Sequence, residues 1–154
     1  MIRTEELVKA FGETTVLKGI STEFHPGKTN LIIGRSGAGK TVLLKLLVGL
    51  HQPTSGKVWY SDTDFFSLDK KAKRAIRMQV GMLFQASALF DSMTVEQNVR
   101  FPLDMFTNMT AKEKANRVDS CLERVSLSGA NKKYPSETSG GMQKRVGIAR
   151  AIVL

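Results

Sequence analysis

Gly34-Arg35-Ser36-Gly37-Ala38-Gly39-Lys40-Thr41 is the stretch of this 154-residue chain whose residue types and spacing carry the clearest chemistry. It fits the pattern G-x-x-x-x-G-K-[ST] in full. Glycines let a backbone turn tightly and expose successive N–H groups with no Cβ in the way. Such N–H groups converge on phosphate oxygens, and the helix that follows adds its positive end. Lys40 then places an ammonium on the β- and γ-phosphates, and Thr41 a hydroxyl where Mg²⁺ can bind. The motif follows an apolar run, Leu31-Ile32-Ile33, and opens another from Val42 to Leu50. It reads as nucleotide-binding, without saying which nucleotide or to what end.

Far downstream, Ser136-Glu137-Thr138-Ser139-Gly140-Gly141-Met142-Gln143 opens the last helix. Two glycines after a serine at a helix start make a second anion site, from free N–H groups and the Ser139 hydroxyl. In isolation Ser-Gly-Gly is common in loops. Its place behind a phosphate loop and ahead of Lys144-Arg145-Val146-Gly147-Ile148-Ala149-Arg150-Ala151 gives it weight.

Strand-like and helix-like segments alternate around these motifs, which argues for an α/β domain with a partly parallel sheet. Residues 14–24 are rich in β-formers, and His25-Pro26-Gly27 is a turn signal. Lys28 to Ile33 reads as a strand buried on both faces. Thr41 to Leu50 reads as a helix, closed by Gly49 and Pro53. Gly56 to Tyr60 and Val80 to Phe84 read as short strands. From Thr94 to about Gly129 the chain looks mainly helical. Thr94 with Gln97, and Thr110 with Glu113, each fit a capping box. Ala111, Ala115, Val118, Leu122 and Val125 form one apolar stripe. Cys121 beside it reads as a packed thiol. Ser139 to Val153 reads as the final helix.

The net charge is +9, from 23 basic and 14 acidic residues. Such an excess can serve nucleic acid, anionic lipid or nucleotide phosphate, or simply belong to a solvated surface. Its one local run, Lys70 to Arg77, reads as a solvated helix face. No stretch approaches the roughly 18 apolar residues of a membrane span. The N-terminus lacks the apolar core of a secretory signal, and a single cysteine fits a reducing compartment. The expected location is the cytoplasm.

Taken together, these motifs resemble the ATP-binding-cassette (ABC) ATPases, over essentially the whole chain. Gly34 to Thr41 matches the family's Walker A motif, Gln85 its Q-loop glutamine, and Ser139-Gly140-Gly141-Met142 its signature motif. Phe11 sits where the family carries an aromatic that stacks on adenine, with plain core as the lesser reading. The resemblance implies a P-loop fold with a RecA-like core over 1–93 and 140–154 and a helical signature subdomain over 94–139. It implies ATP and Mg²⁺ as cofactors, with Thr41 and Gln85 at the metal. It also implies a head-to-tail homodimer in which Walker A of one copy and the signature helix of the other sandwich one ATP. A membrane permease would dock on Ala86 to Met93, whose apolar residues equally fit a core, placing the protein at the cytoplasmic face of the cell membrane, with no nucleic-acid partner.

A narrower resemblance is to ATPase subunits of Mla-type bacterial lipid transport, which work with MCE-domain proteins. It rests on Gly81-Met82-Leu83-Phe84-Gln85, Ala88 to Val95, Asn98-Val99, Pro102-Leu103, Pro135-Ser136-Glu137 and Met142. Thr138 departs from the usual leucine. The family's Walker B aspartate, catalytic glutamate and switch histidine have no match; His25 and His51 lie in the wrong places and read as loop or surface residues. The 154-residue chain is therefore expected to bind ATP weakly, not to turn it over, and to leave open sheet edges. Two other readings remain: a soluble ABC protein of translation or DNA repair, and a non-hydrolysing nucleotide-binding module.

Overall fold

A computed structural model describes residues 1–85 and 87–154. The chain forms two compact units, Met1–Ile76 and Arg77–Leu154.

The first unit is built on an antiparallel sheet. Strands β1 (Ile2–Phe11) and β2 (Thr14–Phe24) make a hairpin in which Phe11 faces Thr14 and Ile2 faces Phe24. The two-residue Gly12-Glu13 turn joins them. Strand β3 (Ser55–Tyr60) pairs antiparallel with the other edge of β1, and the short β4 (Thr63–Asp64) pairs with β3, giving the order β2-β1-β3-β4. Helix α1 (Lys40–Leu47) buries Leu43, Leu46 and Leu47 in one core with Leu7, Leu17, Val58 and Phe65. Tyr60 donates its hydroxyl proton to the Leu47 carbonyl at 2.8 Å, satisfying one of the free acceptors at the end of α1. Helix α2 (Lys70–Arg77) buries no side chain fully; Ile76 is partly buried against that core while Lys70, Lys71 and Arg74 face solvent.

Two expected strands do not form. Lys28 to Ile33 has no ladder partner among the described residues, and neither has Val80 to Phe84. A strand exists only where a neighbour takes its N–H and C=O groups. Ile32 alone of its apolar run reaches the core, while Leu31 is 79% and Ile33 85% exposed. All the observed pairings are antiparallel, where the alternation of segments argued for a partly parallel sheet.

The second unit is helical: α3 (Val95–Phe106), α4 (Ala111–Arg124) and α5 (Gly140–Ala151). Both capping boxes are present, with Thr94 paired to Gln97 and Thr110 to Glu113. Val99, Leu103, Val118, Cys121, Leu122, Val146 and Ala149 fill the core, and Cys121 is a fully buried thiol as its stripe implied. Asn98 is buried with its amide fully used: it accepts from the Phe90 N–H at 2.8 Å and donates to the carbonyls of Phe90, Met93 and Thr94. By packing, α5 belongs with α3 and α4, and the compact units divide at 76/77.

Candidate functional site

The loop 34–41 is held open by its glycines. Gly37 and Gly39 adopt φ of 80° and 87°, the left-handed region that L side chains rarely enter. At Gly39 the surroundings forbid a side chain as well: a Cβ would fall 2.8 Å from Leu17 Cδ2 and 2.9 Å from Val16 Cγ1. Strand β2 thus presses directly against the loop. Gly34 is constrained less, since a Cβ there would meet Ala38 at an ordinary 3.5 Å. The Ala38 N–H donates to the Arg35 carbonyl at 3.2 Å, closing the turn that holds Arg35, Ser36 and Gly37 at the surface.

Helix α1 begins at Gly39 with no side-chain cap. The first N–H groups of a helix have no intrahelical acceptor, so those of α1 are left for an external one. Lys40 is half-buried, and its Nζ donates to the carbonyls of Gly34 and Arg35, each at 2.8 Å. The ammonium is therefore folded over the loop, with no carboxylate paired to it among the described salt bridges. Thr41, next along, is exposed. Beside the loop runs a groove of about 620 Å³ bounded by Leu17, Thr22, Ile32, Gly39, Lys40 and Leu43. Uncapped N–H donors, a helix dipole and a cation on one concave loop suit a polyphosphate.

Phe11 is not in the core. It is 45% exposed at the end of β1, its ring meeting His51 nearly at right angles (77°, centroids 5.5 Å apart). Lys9 Nζ lies 4.8 Å from the ring centroid. Phe11 faces Thr14, and Val16, two residues on, touches the Gly39 position; two residues of strand span about 6.6 Å. His51, which the sequence left as a surface residue, is half-buried against Phe11. Its place between α1 and β3 was readable; its ring contact was not.

In the second unit the opening of α5 is built differently. Ser139 is its cap and accepts from the Met142 N–H at 3.2 Å. A hydroxyl that accepts still has a proton to give. Gly140 has nothing within 4 Å of where a Cβ would sit, and Gly141 only the Ser139 oxygen at 3.9 Å, so neither glycine is demanded by internal packing. Both N–H groups lie in the first turn and lack intrahelical acceptors. Met142 turns its side chain against the helical core and its N–H to Ser139, leaving Gly140 and Gly141 as the open donors. Gln143 spends its amide on the Pro135 carbonyl at 2.9 Å.

Gln85 is exposed. The segment after it turns through Ser87 and Ala88 at φ of 59° and 45°, a conformation that costs non-glycine residues free energy. Arg150 of α5 holds it there, donating to the carbonyls of Ser87 and Ala88 and lying over Phe90. Burial pulls the Arg150 guanidinium below its ordinary value. Of the expected docking segment, Ala86 lies outside the described residues; Leu89 packs inward, whereas Ala88 and Phe90 are exposed. Sequence reasoning assigned no role to Arg150 or Asn98, which hold this turn.

Among the described residues no three carboxylate, imidazole or thiol groups gather to hold a metal. A Mg²⁺ at the loop would find the Thr41 hydroxyl beside phosphate oxygens and water. Thr41 lies in the first unit and Gln85 in the second.

The loop, its lysine and the helix it opens define a P-loop nucleotide-binding domain. The sequence pattern of the family described as ABC transporter matches residues 17–154. The methionine import ATP-binding protein MetN of Geobacillus kaustophilus is 41% identical over 156 residues, covering 99% of this chain and 45% of that protein. The cell division ATP-binding protein FtsE of Escherichia coli is 40% identical over 154 residues, covering 99% of this chain and 69% of FtsE. The chain thus spans under half of one relative and about two thirds of the other. A dimeric structure of the ATP-binding cassette MJ0796 in a post-hydrolysis state, bound to ADP and Pi, superposes with a TM-score of 0.89 at 30% identity, covering 99% of this chain and 69% of that one. The chain belongs to the ABC transporter family, as an ATP-binding domain of the P-loop fold.

Proposed function

We propose that the whole protein is the ATPase subunit of a transporter, and that its cargo is phospholipid or another lipid of a bacterial envelope. The observation that carries the nucleotide part is the uncapped opening of α1 with the Lys40 ammonium poised on two loop carbonyls. Triphosphate oxygens compete for that ammonium with neutral carbonyls, and charge-assisted contacts win. The N–H groups of Gly37, Gly39, Lys40 and Thr41 then close on the phosphates, and Thr41 would present its hydroxyl to Mg²⁺. Mg²⁺ held at Thr41 would supply charge neutralisation to the phosphates. Phe11 offers an apolar face to the base.

The second half of the phosphate shell comes from another copy of the chain. Ser139, Gly140, Gly141 and the start of α5 present donors that no internal contact requires, which supports the head-to-tail homodimer. Gln85, ahead of the Ser87-Ala88 turn that Arg150 holds, is proposed to respond to the phosphate and to relay its presence to a permease resting on Ala88 and Phe90. Among the described residues no helix is long and apolar enough to cross a membrane, so the membrane part of such a transporter would be a separate permease or another segment. In this reading the protein works peripherally at the cytoplasmic side. Hydrolysis is proposed for the whole protein, with Gln85 at the attacking water. Residues 140–154 are proposed to join the nucleotide-binding core there.

The lipid assignment rests on the resemblance of residues 81–85, 88–95 and 135–137 to the Mla-type branch. It is tested by purifying the full-length protein from membranes: a permease and an MCE-type lipid-binding partner are expected to come with it. A partner set lacking both removes lipid as the cargo and leaves the ATPase.

A further inference from the structure

Phe11 is exposed, yet it is not loose. Lys9 lies two residues before it on β1, so both side chains leave the same face of the strand. The Lys9 ammonium is tied to the Gln52 carbonyl at 2.8 Å and sits 4.8 Å from the Phe11 centroid. His51, the neighbour of Gln52, meets the same ring. The loop carrying both is itself strapped to β1: the Thr54 N–H donates to the Val8 carbonyl at 2.8 Å, and Thr54 Oγ1 accepts from the Ala10 N–H at 2.9 Å. One face of the ring thus carries a strand cation that is tied to this loop, and the loop's own imidazole meets the ring at a steep angle. The residue is still 45% exposed.

We infer that Lys9 is a positioning residue for the base of a nucleoside triphosphate: by occupying one face of Phe11 it leaves the other for stacking and fixes its direction. The inference rests on the reading of Phe11 as the base platform. Two further consequences follow from the chemistry. A cation held against one face of a benzene ring is attracted to its π-electrons, which steadies the ring before any ligand arrives. Phenylalanine offers the base no hydrogen bond, so the platform tolerates any base. The same loop follows α1, the helix that the phosphate loop opens.

The test is a set of equilibrium titrations with ATP, GTP and inorganic tripolyphosphate on the wild-type chain and on Lys9→Ala, Lys9→Arg, Phe11→Ala and Lys40→Ala. Tripolyphosphate reads the phosphate loop without a base. Lys9→Ala is expected to weaken ATP and GTP alike by about 2- to 5-fold, the size of an exposed cation–π contact. Its tripolyphosphate affinity should not change, and Lys9→Arg should restore purine binding. Phe11→Ala should weaken purine binding by about 5- to 150-fold, the value of a stacked base. ATP affinity unchanged in Lys9→Ala but reduced in Phe11→Ala overturns the role of Lys9 and leaves the platform standing. Loss of tripolyphosphate affinity in Lys9→Ala overturns it too, because the residue then acts through the fold. No change in Phe11→Ala alongside a loss in Lys40→Ala overturns the platform itself.

Discussion

Two helices in this molecule open on glycines, and they are not equivalent. Helix α1 begins at Gly39 with no side-chain cap, and its first lysine reaches back to the loop carbonyls of Gly34 and Arg35. Helix α5 begins at Ser139, whose oxygen already accepts from Met142. The first opening depends on glycine for its shape, since Gly39 is left-handed and wedged against Val16 and Leu17. The second does not, since Gly140 and Gly141 face empty space. One is a fixed cradle complete in donors and charge; the other is a stable helix end with two donors to spare. That difference is what a composite site needs: one half that binds the triphosphate alone, and one that adds to it once the first is loaded.

The comparison breaks most visibly at Gly39. Gly39→Ala forces a side chain into a left-handed backbone and into β2, and should lower stability of the first unit by about 3 kcal/mol, read as a fall in the urea midpoint. A variant as stable as the wild type would mean the loop is not rigid. Next in size is Arg150→Ala, which strips the donors from the Ser87 and Ala88 carbonyls. It should cost about 2 kcal/mol and raise amide exchange through 87–90; protection left intact there would show that Asn98 alone holds the turn.

Smaller effects sharpen the contrast at α5. Ser139→Ala removes its cap and should cost about 1 kcal/mol. Gly140→Ala should instead stabilise the helix by about 0.8 kcal/mol while lowering ATP-driven dimerisation of the full-length protein. Gly140→Ala with normal dimerisation would remove α5 from the site.

The smallest effect is a pH dependence at the start of α4. The Thr110 N–H, and then its hydroxyl, donate to the Glu113 carboxylate at 2.7 and 2.8 Å, which lowers its pKa from 4.5. A carboxyl lowered on folding stabilises above its unfolded value and loses that contribution as pH falls through the folded one. Melting between pH 5 and about 3 should therefore decline more steeply in the wild type than in Glu113→Gln. Parallel slopes would show that the capping carboxylate is silent.

Much of this was legible in the residues. Thr94 with Gln97 and Thr110 with Glu113 announced two helix starts, because a capping box is local and its partners lie three residues apart. The phosphate loop was legible for the same reason. What the sequence hid was non-local. Lys28 to Ile33 looks like a buried strand, but a strand is made by its neighbour, and none pairs with it among the described residues. Strand β1 was overlooked because Glu5 and Glu6 interrupt its alternation where the ladder with β3 is irregular. Its signal was the Gly12-Glu13 turn ahead of residues 14–24. The contacts of Arg150 with Ser87, and of Lys9 with Gln52, join residues far apart in the chain, and no spacing rule reaches them.

The central claim is that Lys40 and the glycine-lined opening of α1 grip a triphosphate. It is tested most directly by calorimetric titration of ATP into the wild-type chain and Lys40→Ala, with thermal melts run alongside. Removing a charge-assisted contact should weaken binding by about 10- to 150-fold while the melting temperature holds. Equal affinity for ATP in the two proteins would contradict the account.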